Sequence, residues 1–345
     1  MKRKGIGKTG FLLSVGLSLF GCSGTPARGV DWEGRRLASF DIHLHPGDWD
    51  EIPAATQSFL ASRFPFPLNL DAKSAAKDVL SADGILAEVD KAGLSGALLF
   101  AVYAPRTVGI ATNELVADSL SRDPQRLFGL ASLRVDSWSR DRDAELQRLR
   151  TALSWPGMVG IKLAHAHQHF RMDDSSYFGI YQLSAELQKP VYLHTGTSPF
   201  PGTSQAPAET DPAYLEPAIK AHPGAKFLLG HLGYDFVSKQ HAGLQTCIEL
   251  AKKYPNVFLE PSALGSKGSD PTGENLRIAM QRMREAGVVD RIIYGSDGPQ
   301  SPGFVKDYLG RTVEAMRAAG YTAAEAEAVL SGNFARNFGV SVVAP

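Results

Sequence analysis

Short apolar runs recur along most of the chain, and segments with helical spacing separate them. The runs have the length of β-strands, and most are apolar throughout, which is typical of a parallel sheet covered on both faces. They cover residues 39–43, 96–102, 128–133, 158–163, 191–194, 226–230, 257–260 and 291–295. Eight such runs, each followed by a helix, predict an α/β fold of the (β/α)8 TIM barrel type.

The intervening segments carry apolar residues three and four positions apart, as on one face of a helix. Examples are Ile85, Leu86 and Val89; Tyr181, Leu183 and Leu187; and Leu276, Met280 and Met283. Near the end of the chain, Thr322 with Glu325 three residues later predicts a capping box. A doubly wound open sheet is disfavoured because no Gly-rich phosphate loop follows an early strand.

Residues 46–95 form an unusually long connection between the first two runs. This segment is rich in aromatic residues and prolines, namely Trp49, Phe59, Phe64, Phe66, Pro53, Pro65 and Pro67. A long loop at the carboxyl end of a barrel strand commonly covers or lines the functional site. We expect the aromatic residues to do this or to pack the loop onto the barrel rim, and the two roles are compatible.

The first residues have the pattern of an export signal. Basic residues precede an apolar stretch at 11–20, which is too short to span a bilayer. The stretch ends in Leu19-Phe20-Gly21-Cys22, which resembles a bacterial lipobox, in which the cysteine is lipidated and becomes the new N-terminus. We therefore predict a lipoprotein signal peptide at 1–21, lipidation of Cys22, a tether at 22–36 and a barrel domain at 37–340. The alternative is an ordinary secretory signal cut nearby.

The charge and the cysteine content of the chain limit the partners and the metal ligands that it can have. The chain has 36 Lys and Arg against 36 Asp and Glu, so no basic excess is available to bind nucleic acid. Cleavage before Cys22 removes only basic charges and leaves a mildly acidic chain. Since Cys22 and Cys247 are the only cysteines, any metal must be held by His and carboxylates. We expect a lipid-anchored protein of the cell envelope, facing the periplasm or the cell exterior, with the membrane as a partner.

Ionisable residues collect where the predicted strands end. The first run continues as Asp41-Ile42-His43-Leu44-His45, and strand alternation sends both imidazoles to the same side. Other strand ends carry His194, His231 and Asp297. Because a barrel places its catalytic groups at the carboxyl ends of its strands, these side chains should meet. Two or three His with a carboxylate suit one divalent ion, with Zn²⁺ favoured.

Several of these segments together resemble the ordered signatures of the amidohydrolase superfamily. They are Asp41-x-His43-x-His45, Gly160-Ile161-Lys162-Leu163, Val191-x-Leu193-His194-Thr195-Gly196, Gly230-His231-x-Gly233, Gly295-Ser296-Asp297-x-Pro299 and Gly332-Asn333-Phe334-Ala335-Arg336. The chain is most similar to the amidohydrolase-2 group, which includes aminocarboxymuconate-semialdehyde and resorcylate-type decarboxylases. The resemblance implies metal ligation by His43, His45, His194 and Asp297. For His231 it implies a catalytic, non-ligand role or a place at a second metal.

Two segments depart from the family pattern. The fourth run continues Lys162-Leu163-Ala164-His165, and the seventh ends Leu259-Glu260-Pro261-Ser262. In some relatives a strand-four lysine is carboxylated and bridges two metals, so a carboxylated Lys162 would imply two ions. We favour one ion, with Lys162 as an electrostatic or substrate-binding group.

Further residues are candidates for substrate binding. Among the histidines in the loop expected after the fourth run, His165 is the best candidate for the pocket because it lies nearest the strand end. Arg63 is a candidate to bind a substrate carboxylate, alongside Arg106, Arg134 and Arg171.

The leading functional hypothesis is metal-dependent hydrolysis of a small amide, ester or lactone. Asp297 would act as general base and then general acid, and His231 would polarise the substrate carbonyl. The alternatives are decarboxylation of an aromatic or unsaturated carboxylic acid, and a lipid-anchored binding protein without turnover. The expected partner is a small molecule, not nucleic acid, and a homodimer is left open.

Overall fold

The computed structural model describes residues 28–343 of the chain. The predicted signal peptide, Cys22 and the first part of the tether therefore lie outside the described residues. Within residues 28–343, none of the helices combines the length and the apolar character needed to cross a bilayer.

Seven parallel strands form the wall of a barrel, which confirms the predicted TIM-barrel fold. Neighbouring strands pair in sequence order; for example, Leu193 on the fifth lies between Leu163 on the fourth and Leu229 on the sixth. The strands are β1 (Phe40–Leu44), β2 (Gly96–Phe100), β3 (Leu127–Ala131), β4 (Met158–Leu163), β5 (Val191–His194), β6 (Phe227–Gly230) and β7 (Val257–Glu260).

The eighth predicted strand, at 291–295, is not a regular strand. It nevertheless closes the ring by isolated hydrogen bonds to both neighbours instead of a continuous ladder. The amide of Ile293 donates to the carbonyl of Leu259 on β7 at 2.9 Å, and the amide of Ile42 on β1 donates to the carbonyl of Tyr294 at 3.2 Å. Asp297, with a φ of 67°, interrupts the extended conformation, and pairing with β1 resumes at Gly298, whose amide donates to the carbonyl of His43 at 3.1 Å.

Eight outer helices surround the barrel. They run back from the carboxyl ends of the strands, and their predicted apolar faces are buried, as Ile85, Leu183 and Met280 show. They are α1 (Ala82–Ala92), α2 (Asn113–Leu120), α3 (Trp138–Leu153), α4 (Phe178–Leu187), α5 (Glu216–Ala221), α6 (Leu244–Lys253), α7 (Glu274–Glu285) and α8 (Phe304–Ala318).

The chain ends in three short helical segments across the end of the barrel where the strands begin. They are Ala323–Glu327, the π-helical turn Ala328–Gly332, and Asn333–Phe338. The predicted capping box is confirmed, since the Thr322 hydroxyl accepts from the Glu325 amide and the Glu325 carboxylate accepts from the Thr322 amide. Phe334 stacks on Phe40 with ring centroids 4.3 Å apart and so fills this end of the barrel.

The long connection after β1 is helical rather than a loop. We call residues 46–81 the insert. It contains the helices Ala54–Ala61 and Ala72–Leu80 and the 3-10 turns Trp49–Glu51 and Leu68–Asp71. Its own small core includes Trp49, Phe64 and Ala76. Some of the apolar residues of the insert pack in this core. This packing explains how a segment with so many prolines folds into a distinct layer.

The remaining elements decorate the two ends of the barrel. A hairpin precedes β1, with Val30–Trp32 paired to Arg35–Leu37. A second hairpin follows β2, with Val102–Ala104 paired to Gly109–Ala111. Short helical turns lie between β4 and α6, namely His165–Gln168, Ser175–Tyr177, Pro207–Thr210, Pro212–Leu215 and His231–Gly233.

Candidate active site

Three side chains converge where β1 meets the eighth segment. His43 Nε2 lies 3.0 Å from His45 Nε2, and Asp297 Oδ1 lies 3.1 Å from the first and 3.2 Å from the second. Alternation along β1 brings both imidazoles to the inside of the barrel, and the left-handed backbone of Asp297 turns its carboxylate towards them. Three ligand atoms thus form a triangle with nearly equal edges.

This triangle fits a metal ion. Donor atoms bound about 2.0–2.1 Å from one divalent ion lie roughly 3 Å or slightly more from each other, which matches the three edges. The opposite ring nitrogen of His43, Nδ1, bonds to Glu260, so in the neutral tautomer Nε2 presents a lone pair. Lone pairs of His43 and Asp297 would then face each other, an arrangement that a cation stabilises.

Glu260 orders the inner side of the cluster. Its Oε1 lies 3.0 Å from His43 Nδ1, and its Oε2 accepts from the hydroxyls of Tyr192 at 3.1 Å and Ser262 at 2.6 Å. His43, Glu260 and Ser262 are all fully buried. A carboxylate bonded to the far nitrogen of a ligand histidine fixes its tautomer and orientation. Glu260 therefore acts on the cluster through His43.

Two glycines of the sequence signatures leave room for this network. A Cβ on Gly295 would lie 2.1 Å from Glu260 Oε1, and one on Gly230 would lie 1.8 Å from the Tyr192 hydroxyl oxygen. Neither approach is possible for a side chain. Glycine is thus required at both positions by the buried Glu260 and Tyr192.

His231 is held by the same network. Its Nδ1 lies 2.9 Å from Ser262 Oγ, and since that hydroxyl donates to Glu260, it must accept from Nδ1–H. The neutral ring then presents Nε2 to the cavity as an acceptor. In this tautomer a neutral ring accepts at Nε2, whereas the expected polarisation of a carbonyl by His231 would require a protonated ring or the other tautomer. His231 is instead suited to accept a proton.

His194 lies in the same cavity but outside the triangle. Its ring centroid is 4.5 Å from that of His231 and 4.9 Å from that of His167. Its Nε2 is buried without a hydrogen-bond partner among the described residues. A buried unpaired nitrogen is costly and indicates a missing partner. The site of His43, His45 and Asp297 can therefore be extended by His194.

The buried amine of Lys162 faces aromatic rings rather than a carboxylate. Nζ lies 4.0 Å from the ring centroid of Tyr192 and 4.7 Å from that of Phe100. Burial lowers the pKa of Lys162 to about 7, although Asp297 and Glu260 oppose this. Lys162 lines the cavity and is available to an anionic group of a substrate.

Burial also keeps most of the imidazoles neutral. It lowers the pKa of His45 and of His231 to about 4, that of His167 to about 3, and that of His194 well below its ordinary value. Neutral imidazoles are the form that binds metals.

His43 and Asp297 each shift the pKa of the other. Burial lowers the pKa of His43, but Glu260 and Asp297 outweigh it, so the pKa is raised. Burial raises the pKa of Asp297, but the histidines outweigh it, so the pKa lies well below its usual value. The negative charges of Glu260 and Asp297 favour a positive charge beside them, either a proton on His43 or a bound metal ion.

Two residues predicted to bind substrate, His165 and Arg63, lie in different environments. The segment expected as a loop after β4 is the short helix His165–Gln168, and it turns His165 away from the cavity, against Phe170 and Tyr181. His167 lines the cavity in its place. Arg63 lies at the cavity wall with its guanidinium over the Phe59 ring, 4.5 Å from the centroid.

The cluster lies at the floor of a cavity of about 220 Å³ with largely apolar walls. The insert supplies one wall through Trp49, Phe59 and Phe64, and Phe200 closes the opposite side, 5.1 Å from the Phe59 ring. Trp49, Phe59 and Phe64 thus line the site, and Trp49 and Phe64 also pack in the core of the insert, whereas Phe66 is exposed. The dimensions suit a small molecule with an apolar body.

Sequence reasoning missed Glu260, Ser262, Tyr192 and His167. The rule that found His194, an ionisable residue at the end of an apolar strand, applies equally to Glu260 at the end of β7. Tyr192 and Ser262 carry no comparable signal, because alternating tyrosines and loop serines are common.

Comparison with known proteins places the barrel in a family. The family model described as amidohydrolase, of the amidohydrolase-2 group, matches residues 40–340. The chain belongs to the amidohydrolase family. A search of curated proteins finds no match.

Solved structures share the fold of this amidohydrolase at low identity. An uncharacterised TIM-barrel protein from Bordetella bronchiseptica has 18% identity and a TM-score of 0.65, with 88% of this chain and 99% of that chain covered. A probable 2-pyrone-4,6-dicarboxylic acid hydrolase from Acinetobacter baumannii has 18% identity and a TM-score of 0.57, covering 88% and 100%. A dihydroxybenzoic acid decarboxylase from Polaromonas sp. JS666 with bound manganese has 18% identity and a TM-score of 0.59, covering 88% and 97%.

Proposed function

We propose that this amidohydrolase hydrolyses a small amide, ester or lactone at one divalent metal ion. The observation that carries the proposal is the convergence of His43 Nε2, His45 Nε2 and Asp297 Oδ1 at the floor of a cavity. His194 is proposed as a further ligand because its buried Nε2 has no partner among residues 28–343. Zn²⁺ is the favoured ion, since the donor set is His with carboxylate.

A divalent ion held by His43, His45 and Asp297 would supply Lewis-acid chemistry, which lowers the pKa of bound water from about 15.7 towards 7. Asp297 takes the proton of the attacking water, and the new carbon–oxygen bond forms at the substrate carbonyl. Asp297 then returns the proton to the leaving nitrogen or oxygen as its bond to carbon breaks. Gln300 donates to Asp297 Oδ2 at 3.1 Å and so keeps the carboxylate oriented.

Two further residues have roles suited to their surroundings. Lys162 Nζ is a buried donor without a carboxylate partner among the described residues, and in its protonated form it stabilises developing negative charge on the substrate oxygen. His231 Nε2 accepts a hydrogen bond or a proton from the substrate. Phe59 and Phe200 pack against each other at the cavity wall and shield the site from bulk solvent.

The test is hydrolysis in ¹⁸O-labelled water with a panel of small amides, esters and lactones. We expect one labelled oxygen in the carboxylate product, loss of activity on chelation, and recovery with close to one equivalent of metal per chain. Turnover that releases carbon dioxide without incorporation of label would contradict hydrolysis. Two metal equivalents would support carboxylation of Lys162 instead of the single-ion site.

Decarboxylation of an aromatic or unsaturated carboxylic acid is the second candidate. Two observations favour it: Lys162 is free to hold a substrate carboxylate, and the aromatic walls suit a planar, apolar body. The bond between the carboxyl carbon and its neighbour would break, carbon dioxide would leave, and a proton taken up from solvent by Asp297 or His231 would pass to the carbanion left on that neighbour. The same assay, run on aromatic carboxylic acids, would then give carbon dioxide. A chain that binds metal and ligands without either reaction would be a binding protein.

A further inference from the structure

The described chain begins at the end of the barrel opposite the cavity. We call the end where the strands begin the base, and the end with the cavity the mouth. The amide of Gly29 donates to the carbonyl of Gly93, directly after α1, at 2.7 Å. Arg317, in the last turn of α8, donates to the carbonyl of Asp31 at 2.7 Å. Both outer helices end at the base, so the chain enters the barrel there.

We propose that the protein, anchored through acylated Cys22, stands on the membrane with its base towards the lipid and its mouth towards the aqueous phase. The proposal rests on the predicted acylation of Cys22 and is independent of the reaction at the site. It names the lipid surface as the partner of the base.

The length of the tether excludes the opposite orientation. Seven residue-to-residue steps lead from Cys22 to Gly29, and fully extended they reach roughly 25 Å. The 15 residues of α8 span about 22 Å from the mouth side to the base. The insert lies above that level and adds roughly the 10 Å diameter of a helix. With the mouth on the lipid, Gly29 would stand further from the surface than the tether reaches.

The distribution of charge along the barrel axis favours contact of the lipid with the base rather than with the sides of the barrel. Helix C-termini, which lie at the base, attract cations, and helix N-termini, which lie at the mouth side, attract anions. The last turns of six outer helices carry Lys91, Arg150, Lys220, Lys252, Lys253, Arg282, Arg284 and Arg317. The first turns of five carry Asp83, Glu114, Asp141, Glu274 and Asp307, whereas Glu216, in the first turn of the short helix α5, pairs with Lys253 at 2.6 Å and so belongs with the charges of the base.

This asymmetry suits an anionic bilayer. Asp90 and Glu285 in the same last turns, Asp118 and Glu186 in the last turns of the other two outer helices, and Glu216 beside Lys253 reduce the positive excess without cancelling it. Basic side chains close to an anionic surface each contribute about 1 kcal/mol of attraction. The exposed apolar side chains of Phe66 and Leu70 lie on the insert at the mouth side, so in this orientation they face water rather than lipid.

The test is energy transfer between a labelled cysteine and a lipid-headgroup dye. The full chain, made with its own leader, is placed in phosphatidylcholine vesicles with and without phosphatidylglycerol. Cys247 is fully buried, so a single introduced cysteine takes the label. Asp31→Cys reports on the base and Leu70→Cys on the mouth side. We expect several-fold stronger transfer from the base, and a larger contrast when the anionic lipid is present.

Controls separate the anchor from the orientation. Cys22→Ser should leave the chain unbound; if the unchanged chain also stays in the soluble fraction, the proposal fails. Lys252→Glu with Lys253→Glu should reduce the contrast in anionic vesicles, whereas Lys267→Glu with Lys306→Glu, near the mouth, should not. Equal transfer from the two labels, or stronger transfer from Leu70→Cys, would overturn the orientation.

Discussion

Glu260 Oε1 lies 3.0 Å from His43 Nδ1, and both side chains are fully buried. The pair joins the end of β7 to the end of β1 across the barrel. Because His43 contributes Nε2 to the three-atom cluster with His45 and Asp297, the carboxylate of Glu260 fixes one ligand from behind.

Replacing Glu260 with glutamine should weaken metal binding while the barrel stays folded. The amide keeps the shape of the side chain but removes the charge that orients the His43 ring. We expect about 10- to 100-fold lower affinity for the ion, which is the usual cost of losing such a partner. Competition with a fluorescent chelator measures the affinity. Glu249→Gln, at an exposed position of α6, is the matched control and should bind as the unchanged chain does.

Asp297→Asn tests proton transfer. Asparagine tolerates the left-handed backbone at this position, where φ is 67°, so the local fold should persist. General acid–base catalysis contributes about 10²- to 10⁴-fold, and we expect kcat to fall by that factor with metal retained or only weakened. Asp290→Asn, an exposed carboxylate at the base, is the control. Activity of Asp297→Asn on a true substrate within a factor of a few of the unchanged enzyme would remove Asp297 from this role.

Alanine substitutions at two glycines should have opposite effects on the stability of the fold. At Gly295 a Cβ would lie 2.1 Å from Glu260 Oε1, whereas at Gly310, inside α8, nothing lies within 4 Å. Gly295→Ala should destabilise the fold by about 1–3 kcal/mol through overpacking and should also displace Glu260 and weaken metal binding. Gly310→Ala should leave metal binding unchanged and stabilise the helix by up to about 1 kcal/mol. Chemical denaturation measures both; equal effects would contradict the crowding at Gly295.

Lys162→Met should reveal the cost of burying an amine. Burial lowers the folded-state pKa of Lys162 to about 7, below its ordinary value of 10.5. Between these values the unfolded chain binds a proton that the folded chain does not. The stability contributed by this group therefore rises with pH by up to about 1.4 kcal/mol per unit across that window. We expect Lys162→Met to stabilise the protein most near and below pH 7, with the gain shrinking towards pH 10.5.

Denaturation of the two proteins at several pH values measures this difference. Lys220→Met, at an exposed position at the base, should show no such slope. A gain for Lys162→Met that does not change with pH would indicate that Lys162 is charged in the folded protein throughout.

The sequence by itself determined the barrel and the floor of its site. Apolar strands at regular intervals require a parallel sheet covered by helices, and closure of that sheet brings His43, His45, His194, His231 and Asp297 to one end whatever the packing details. The family signatures lie at the same strand ends, so pattern and resemblance agree. The period of the strands alone could not show that the eighth segment closes the ring by isolated hydrogen bonds instead of a continuous ladder, since its apolar pattern equals that of a regular strand.

The tertiary structure decided which side chains face which. Glu260 and Ser262 at the end of β7 and Tyr192 on β5 come from two separate segments, and only their burial around His43 and His231 makes them one network. That network sets the His231 tautomer, which no pattern along a chain encodes. His165 and His167 lie two residues apart, and the short helix after β4 sends the first to the core and the second to the cavity. The distances between side chains on different strands depend on how the sheet closes in three dimensions. The positions along the chain at which strands end depend on local sequence alone.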